Sequence, residues 1–450
     1  MRFERIVSDG IAHHSYFIAD GGEAIVIDPR RDVDVYLELA RQQGARIRFV
    51  CETHRNEDYA IGSTALKALA GAEILHSGAI DFEYGTAVRE GDAVKVGSTR
   101  LGVLETPGHT DESLSFTLAD TSETDDPFAV FTGDALFVGD TGRTDLYGED
   151  EKERLARDLH QSLFEKLLPL GDGVLLFPAH GSGSVCGGDI SDRDMSSLGF
   201  ERLHNAKLEA ELDAFVKMKT QEPHLVPPYF RRMEEWNQKG NAPIHARVPV
   251  PPPLSPGEVA ERVEGGALVI DARLPQAYAG GHIPGSLNIW QGGLSAYLGW
   301  MVEHGTPIVL VLPEHASVEA VTRILMRIGY DEVVGYLRGG FESWQNDGRL
   351  VGRIGTLDTR ALRAKMRAKE VTVLDVRKPS EWEDEAVEGA LRIFVGDLPK
   401  RLDEVPKDRP VVSMCAVGHR GGIGASVLAR HGFEAVYNYL GGAKAWKQEQ

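Results

Sequence analysis

Short apolar runs alternate with longer stretches of helical period along roughly the first 240 residues of the chain. Each run ends in a polar or acidic residue and a turn, as in EAIVIDP (23–29), RIRFVCETH (46–54), FAVFTGD (128–134) and GVLLFPAH (173–180). Chains that alternate buried strands with helices carry their chemistry on the loops at the strand ends. The pattern therefore predicts an α/β domain whose functional residues lie in the turns after these runs.

A proline-rich segment, RVPVPPPLSP (247–256), interrupts this pattern. Such segments are stiff and extended, so we expect a linker at a domain boundary. After it the sequence repeats itself. The matching stretches are ALVIDARLPQAYAGGHIPGSLNI (267–289) with VTVLDVRKPSEWEDEAVEGALRI (371–393), and YLRGGFESW (336–344) with YLGGAKAW (439–446).

The repeat unit is about a hundred residues long, as the spacing of Asp271 and Asp375 indicates, which is too long for a solenoid repeat. Within each unit, β-rich runs alternate with helical patterns such as VEAVTRILMRIGY (318–330). This alternation predicts a small α/β domain with a parallel sheet and helices on both faces. The predicted domains are therefore 1–245, 246–350 and 351–450.

Composition narrows the classes of function. Of the 450 residues 42% are apolar and 26% charged, as in ordinary globular proteins. The net charge of −19 argues against nucleic acid and against an anionic membrane surface as partners. Three cysteines make no disulfide framework, and neither a signal-peptide segment nor an apolar run of about 18 residues occurs. These features predict a cytoplasmic protein without a membrane span, and they leave open whether it forms a homo-oligomer.

The segment CETHRNEDYAIGS (51–63) follows one of the apolar runs. It resembles the metal-binding turn of the metallo-β-lactamase fold, which is normally written T-H-x-H-x-D-H. The first histidine (His54) and the aspartate (Asp58) are present, whereas Asn56 and Tyr59 stand where the second and third histidines belong. Three later segments continue the resemblance in the family's order: TPGHTDESLSF with His109, FTGDALFVGDTGRTDL with Asp134, and LFPAHGSGSVCGG with His180. The resemblance implies an αββα sandwich.

A count of the remaining ligands favours one metal ion. In two-metal members of the superfamily, the ions share a bridging aspartate, here Asp134. Without the two missing histidines, the second site retains only Asp58, His180 and the shared aspartate. The first site retains His54, His109 and Asp134, and two histidines with one carboxylate form the facial triad of non-haem Fe(II) oxygenases.

This arrangement resembles the persulfide dioxygenases. The resemblance implies one Fe(II) per chain on that triad and the oxidation of a low-molecular-weight thiol persulfide by O2 to sulfite. Asp58 and His180 would orient the ligands and water. Arg143 and Asp145, in GRTDL, would anchor the active-site loop or the anionic substrate. For Cys186 two interpretations stay open, a small buried apolar residue or a thiol that holds or relays sulfur.

The repeated units resemble the rhodanese family, which shows D-x-R after the first strand, a cysteine loop and a closing Y-L-x-G-G-x-x-x-W. In the last copy the loop is VVSMCAVGHRGGIGAS (411–426). Cys415 precedes a helix, and the glycines at 418, 421 and 422 allow backbone N–H groups to surround its sulfur. The helix N-terminus and Arg420 add positive potential that favours the thiolate. In the middle copy Leu312 stands at the cysteine's place, so this copy is expected to be an inactive structural spacer.

The predicted protein is thus a persulfide dioxygenase fused to an inactive and an active rhodanese domain, working in sulfide detoxification. Cys415 would move sulfane sulfur between a thiol persulfide and sulfite, with thiosulfate made or consumed. Two alternatives remain. One is a thioester hydrolase of the glyoxalase II type, which would need two metals. The other is a sulfur carrier in which only Cys415 works and the first domain is a scaffold.

Overall fold

The computed structural model describes residues 1–193, 195–384 and 387–448. Contacts divide the chain into two compact units. One comprises Met1–Val248 with Met326–Gly329, and the other comprises Pro249–Leu325 with Tyr330–Gln450. Each described helix is too short or too polar to cross a lipid bilayer.

The first unit contains two six-stranded sheets whose strands follow chain order. The first sheet comprises β1 (Arg2–Ser8), β2 (His13–Asp20), β3 (Glu23–Ile27), β4 (Arg46–Cys51), β5 (Glu73–Ser77) and β6 (Thr86–Val88). The second sheet comprises β7 (Ala93–Val96), β8 (Thr99–Glu105), β9 (Leu114–Asp120), β10 (Ala129–Gly133), β11 (Leu175–Pro178) and β12 (Ser196–Ser197). The two sheets are mixed: β3 to β6 run parallel, as do β10 and β11, and the other neighbours run antiparallel.

Helices cover both outer faces of this pair of sheets. They are α1 (Asp34–Gln43), α2 (Ser63–Ala70), α3 (Lys152–Gln161), α4 (Leu198–His204), α5 (Leu212–Gln221) and α6 (Phe230–Lys239). One apolar cluster joins the facing sides of the two sheets, a second joins the first sheet to α1 and α2, and a third joins the second sheet to α3 and α5. The layers are therefore helix, sheet, sheet and helix, and the predicted αββα sandwich is confirmed.

The second unit holds two parallel sheets of five strands each. The middle copy has β13 (Pro253–Leu254), β14 (Leu268–Asp271), β15 (Leu287–Asn288), β16 (Ile308–Val311) and β17 (Val333–Leu337), in the order β13-β17-β16-β14-β15. The last copy has β18 (Gly355–Thr356), β19 (Thr372–Asp375), β20 (Leu391–Arg392), β21 (Val411–Met414) and β22 (Val436–Tyr439), in the equivalent order β18-β22-β21-β19-β20. The predicted parallel α/β repeat is confirmed.

Each copy has its own set of helices. The middle copy has α7 (Pro256–Glu264), α8 (Pro275–Gly280), α9 (Leu294–Met301), α10 (Val318–Arg327) and α11 (Gly340–Asn346). The last copy has α12 (Thr359–Arg367), α13 (Pro379–Asp384), α14 (His419–Arg430) and α15 (Gly442–Gln448). Helix α14 packs against β15 and α8 of the middle copy. There Gly422 leaves room for the Asn288 side-chain oxygen and for Pro275, both 2.8 Å from where its Cβ would lie.

Candidate metal centre and sulfur-transfer loop

His54 lies in the turn that leaves the carboxyl end of β4, and its orientation is set by the residue before it. The Thr53 backbone N–H donates to Asp28 Oδ1 and the Thr53 hydroxyl donates to Asp28 Oδ2, both at 2.8 Å. Because that hydroxyl has used its single proton, it accepts a hydrogen bond from His54 Nδ1 at 2.9 Å. The Nδ1 of His54 therefore carries the ring proton, and its Nε2 presents a lone pair to the centre.

His109 reaches the same point from the loop between β8 and β9. Its Nδ1 is 2.9 Å from the Arg143 backbone carbonyl oxygen, which can only accept, so Nδ1 again carries the proton. Gly108, at φ +139°, allows this loop to pass α3, because a Cβ there would lie 2.3 Å from the Leu159 Cα. The Nε2 atoms of His54 and His109 are both buried and lack hydrogen-bond partners among the described residues.

Asp134 completes the group at the end of β10. Its Oδ2 lies 3.8 Å from His54 Nε2 and 3.6 Å from His109 Nε2. The donor atoms of the three residues lie within 4.8 Å of one another, and all three side chains are buried. Burial opposes a charge on His109, but Glu57 and Asp134 raise the pKa of this histidine to about 9. A divalent cation would take the place of the proton that these carboxylates favour on His109 Nε2, and it would find two imidazole nitrogens that lack hydrogen-bond partners among the described residues beside a carboxylate.

His180 follows β11, which runs parallel to β10, so its side chain comes up beside Asp134. Its Nδ1 lies 2.8 Å from Asp134 Oδ1, and its Nε2 lies 3.1 Å from Asp58 Oδ2. Burial opposes protonation, but these two carboxylates raise the pKa of His180 well above its ordinary value. The structure thus places Asp58 and His180 in a chain that orients the Asp134 carboxylate.

Asn56 and Tyr59, the two departures from the motif, do not face the group formed by His54, His109 and Asp134. The Asn56 side chain turns back and donates to the His54 carbonyl oxygen at 3.1 Å. Tyr59 is fully buried, and its ring centroid is 4.1 Å from that of His13. Its hydroxyl has no hydrogen-bond partner among the described residues.

In the second unit, Cys415 follows β21 and is buried. The Gly418 backbone N–H donates to the Cys415 Sγ at 3.1 Å, in a turn where Gly418 has φ +85°. Arg420 lies at the start of α14 and forms a two-pronged ion pair with Glu381, so its charge acts on the Cys415 sulfur across space rather than by contact. Burial opposes the charge on Arg420, but Glu381, Tyr297 and Cys415 keep the pKa of Arg420 above its ordinary value.

Both halves of this chain match known protein families. The metallo-beta-lactamase superfamily matches residues 9–231, and the rhodanese-like domain matches residues 255–347 and 358–449. The human protein named "Persulfide dioxygenase ETHE1, mitochondrial" is 30% identical over 212 residues, which are 45% of this chain and 74% of the human one. The chain belongs to the metallo-beta-lactamase superfamily, and two rhodanese-like domains follow that domain.

Two further relatives are informative. A hydroxyacylglutathione hydrolase from Polaromonas sp. is 33% identical over 187 residues, which are 40% of this chain and 66% of that protein. The crystal structure of a metallo-beta-lactamase from Staphylococcus aureus subsp. aureus COL is 30% identical, with a TM-score of 0.67. The alignment covers 75% of this chain and 98% of the Staphylococcus aureus chain. The alignment thus extends well beyond the metallo-beta-lactamase domain.

The Arg143 side chain is held in place by several hydrogen bonds within the metallo-beta-lactamase domain. It is fully buried and pairs with Asp145 through Nε and Nη2 at 2.6 and 2.7 Å. Its Nη1 donates to the carbonyl oxygens of Val185 and Leu225, each at 3.2 Å. Because these contacts occupy most of its N–H groups, the arrangement favours the first of its two predicted roles, anchoring the loop, over binding an anionic substrate.

Cys186 lies on the loop that Arg143 holds. Its thiol donates to Glu57 Oε1 at 3.3 Å, and its sulfur belongs to a second group of potential ligand atoms with Asp58 and His180, all within 4.8 Å of one another. Burial, with the charges of Asp58 and Glu57, raises the pKa of Cys186 well above its ordinary value. The thiol therefore lies beside the predicted metal group.

Sequence reasoning missed Glu57. The T-H-x-H-x-D-H pattern assigns no role to its position, yet its carboxylate lies beside both histidines, 3.5 Å from His109 Nε2 and 4.0 Å from His54 Nε2. The signal that could have identified Glu57 is its acidic side chain, which lies in the same turn as the candidate ligands.

The middle rhodanese-like domain also has a role that the sequence did not indicate. The ring of Trp290 lies against His419, at the start of α14, with centroids 4.8 Å apart. Tyr297 lies within electrostatic reach of both Arg420 and Cys415. The predicted spacer therefore also forms part of the surroundings of the Cys415 loop.

Proposed function

We propose that the metallo-beta-lactamase domain is an iron-dependent persulfide dioxygenase with one Fe(II) per chain on His54, His109 and Asp134. Persulfide dioxygenase homology of this domain supports the assignment. The observation that carries it is that the Nε2 atoms of His54 and His109 lack hydrogen-bond partners among the described residues and lie beside the Asp134 carboxylate. Two histidines and one carboxylate would hold Fe(II) as they do in non-haem oxygenases, and the ion would supply the dioxygen chemistry.

The overall reaction would convert a thiol persulfide, O2 and water into the thiol, sulfite and two protons. The chain's own residues prepare the centre for it. Thr53 and the Arg143 carbonyl hold the two histidines with Nε2 free. His180 holds Asp134, and Asp58 holds His180 in turn. Such outer contacts fix ligand orientation, so Asp58→Ala is expected to reduce activity more than iron content.

We further propose that Cys415 transfers the sulfane sulfur. Its thiolate would attack the outer sulfur of a persulfide and release the thiol, which leaves sulfur on Cys415. Sulfite would then take that sulfur as thiosulfate and restore the thiolate, and the reverse direction would consume thiosulfate. The Gly418 N–H on the sulfur and the nearby charge of Arg420 support this role. Together the two domains would remove sulfide-derived persulfide.

A second candidate is thioester hydrolysis, which the hydroxyacylglutathione hydrolase relative and the Asp58, His180 and Cys186 group both favour. Protein purified without added metal, assayed for metal content and for O2 uptake with glutathione persulfide, separates the two. One iron and persulfide-dependent O2 uptake, both lost in His54→Ala, support the dioxygenase. Two tightly bound zinc ions with hydrolysis of a glutathione thioester would replace that assignment.

A further inference from the structure

The turn that joins β4 to α2 carries His54 and Asp58 but lies outside the helices and strands. It comprises residues 52–62, and nearly all of them are buried. Buried backbone N–H and C=O groups need hydrogen-bond partners, which strands and helices find in their own ladders and a turn must find elsewhere. The shape of this turn therefore depends on groups from other parts of the chain.

Asn237, on α6, supplies three such partners with one buried side chain. Its Oδ1 accepts a hydrogen bond from the Ile61 backbone N–H at 2.9 Å. Its Nδ2 donates to the backbone carbonyl oxygens of Asn56 and Tyr59 at 2.6 and 2.8 Å. Because an N–H can only donate and a carbonyl oxygen can only accept, these contacts also fix which way the amide points. The one acceptor and both donors of the amide group are thus all used on the turn.

These contacts lie on both sides of Asp58 along the chain. Asn56 precedes it and Tyr59 follows it, and the Tyr229 hydroxyl donates to the Asp58 carbonyl oxygen itself at 3.1 Å. The Asp58 carboxylate reaches in the other direction, to within 3.1 Å of His180 Nε2. The backbone that carries this carboxylate is therefore held by α6 and by the residue that precedes that helix.

This support comes from a part of the chain that carries none of the candidate metal ligands. Asn237 is separated from Ile61 by 176 positions in the sequence. It also lies beyond residue 231, where the metallo-beta-lactamase match ends. A fully satisfied polar network in a buried environment favours one geometry, because each displaced group would lose its partner. The geometry of the turn thus depends on a residue outside the motifs that predict the metal site.

We propose that Asn237 is a positioning residue of the metal centre. This inference rests on the metal site of the proposed function. Asn237 acts through the backbone of the turn and so keeps the His54 ring and the Asp58 carboxylate in place. From Asp58 the effect passes to His180, which holds the Asp134 carboxylate at 2.8 Å. Loss of the Asn237 amide should therefore weaken metal binding without removal of a ligand.

Asn205 offers a matched control in the same compact unit. It is also a buried asparagine whose amide makes three hydrogen bonds. Its Nδ2 donates to the Asp140 carbonyl oxygen and to the Glu201 carboxylate, each at 3.2 Å, and its Oδ1 accepts from the Lys207 backbone N–H at 3.1 Å. All three partners lie outside the turn at 52–62, so replacement of Asn205 tests the loss of a buried amide alone.

The test uses Co(II), which reports its coordination by visible absorption. Full-length wild type, Asn237→Ala and Asn205→Ala are stripped of metal and titrated with Co(II) against a chelator. Asn237→Ala should weaken Co(II) binding about tenfold, the lower end of the effect of outer contacts on metal affinity, and change the band intensities. Asn205→Ala should match wild type in both respects. Urea denaturation of the metal-free proteins should show similar losses of stability in the two variants, because each loses three buried hydrogen bonds.

Two further variants keep the test independent of whether Asn237→Ala folds. Asn237→Asp keeps an acceptor for the Ile61 N–H, but an ionised carboxylate has no N–H for the two carbonyl oxygens, so Co(II) binding should again weaken. Tyr229→Phe removes only the hydroxyl that bonds to the Asp58 carbonyl oxygen. It should weaken Co(II) binding in the same direction by a smaller factor.

Equal Co(II) affinity in wild type and the Asn237 variants would overturn the inference. An equal loss of affinity in Asn237→Ala and Asn205→Ala would overturn it as well, because general destabilisation would then explain the effect. Failure of the proposed function has a different result. Wild type that binds no Co(II) would refute the metal site together with this inference, whereas wild type that binds iron but consumes no O2 with persulfide would refute the dioxygenase alone.

Discussion

The two rhodanese-like copies share a framework and differ in one loop. Their sheets have equivalent strand orders, and each has an aspartate at the end of its second strand that pairs with the arginine two residues later. In the last copy β21 leads into Cys415, where the Gly418 N–H reaches the sulfur. In the middle copy β16 leads into Leu312 and a loop that borders a cavity of about 740 Å³.

This difference separates the residues that maintain the fold from those that carry the chemistry. The Asp-x-Arg pair and the parallel sheet persist where the cysteine is absent, so they serve the fold. The cysteine and the glycine-rich turn occur together in one copy, and they are the residues to which we assign the proposed sulfur transfer. The same framework can therefore carry an active or an inactive loop.

The largest expected effect comes from exchanging the reactive atom. Cys415→Ser should reduce thiosulfate formation from persulfide and sulfite to background, because the serine hydroxyl cannot hold sulfane sulfur. Persulfide-dependent O2 uptake should stay near the wild-type rate, with free sulfite accumulating. The measurement is O2 consumption together with sulfite and thiosulfate quantified by thiol-reactive labelling.

Leu312→Ser in the middle copy is the matched control, and it should leave both products unchanged. A wild-type thiosulfate yield from Cys415→Ser would move sulfur transfer to the metal centre, with Cys186 the first residue to examine.

The next effect tests the shared framework. Asp375→Ala leaves the buried guanidinium of Arg377 without its carboxylate, which should lower the free energy of unfolding by about 3–5 kcal/mol. Asp271→Ala should cost less, because Arg273 is partly exposed and also lies over the ring of Phe341. Urea denaturation of both variants measures the difference. Equal losses would mean that the two pairs stabilise their copies alike.

A smaller effect concerns the turn around the sulfur. Gly418→Ala places a Cβ 2.7 Å from the Leu440 carbonyl oxygen, in addition to the strain of a left-handed backbone. Gly432 has a similar φ of +80° with no atom within 4 Å of its Cβ position, so Gly432→Ala isolates the backbone strain. We expect Gly418→Ala to be less stable than Gly432→Ala by about 1–3 kcal/mol, and also to slow sulfur transfer. Thermal unfolding measures the difference in stability, and a thiosulfate assay measures the rate of sulfur transfer. Equal stability and equal transfer rates in the two variants would contradict the steric argument.

The smallest expected effect sharpens the role of the inactive copy. Tyr297→Phe removes a hydroxyl near Arg420 and Cys415, a change worth about 0.5–1.5 kcal/mol or a few-fold in rate. The thiosulfate reaction should slow by that factor, with unfolding unchanged. Tyr336→Phe, in the same copy but beside the cavity at Leu312, is the control and should have no effect. Identical thiosulfate kinetics in wild type, Tyr297→Phe and Tyr336→Phe would restrict the middle copy to a structural role.

The sequence was most informative where a side chain follows a readable strand. His54, Asp134 and His180 each lie within three residues of the end of a strand, so their convergence could be expected before the structure, and Cys415 follows β21 in the same way in the second unit. The α/β class and the repeated parallel-sheet domains followed from the same alternation and from the internal repeat, whereas the αββα sandwich was implied by the resemblance to the metallo-β-lactamase fold.

Glu57 and Tyr297 could not be placed in this way. The direction of Glu57 depends on the path of an irregular turn that Thr53 and Asp28 tie down across the sheet. The position of Tyr297 depends on how one copy packs on the other, through a helix face made of small residues. Neither arrangement has a sequence period, because both are set by contacts distant along the chain.

Helix α14 joins the two copies through Gly422, which lies against Pro275 and Asn288, and through the Ser426 hydroxyl, which accepts the Asn288 backbone N–H at 3.0 Å. This contact makes the two copies parts of one packing unit. Deletion of the middle copy would expose the face of α14 that carries Gly422 and Ser426, and α14 is the helix that follows Cys415. The middle copy, which has Leu312 in place of a cysteine, therefore serves as the solvent shield of the helix next to that cysteine.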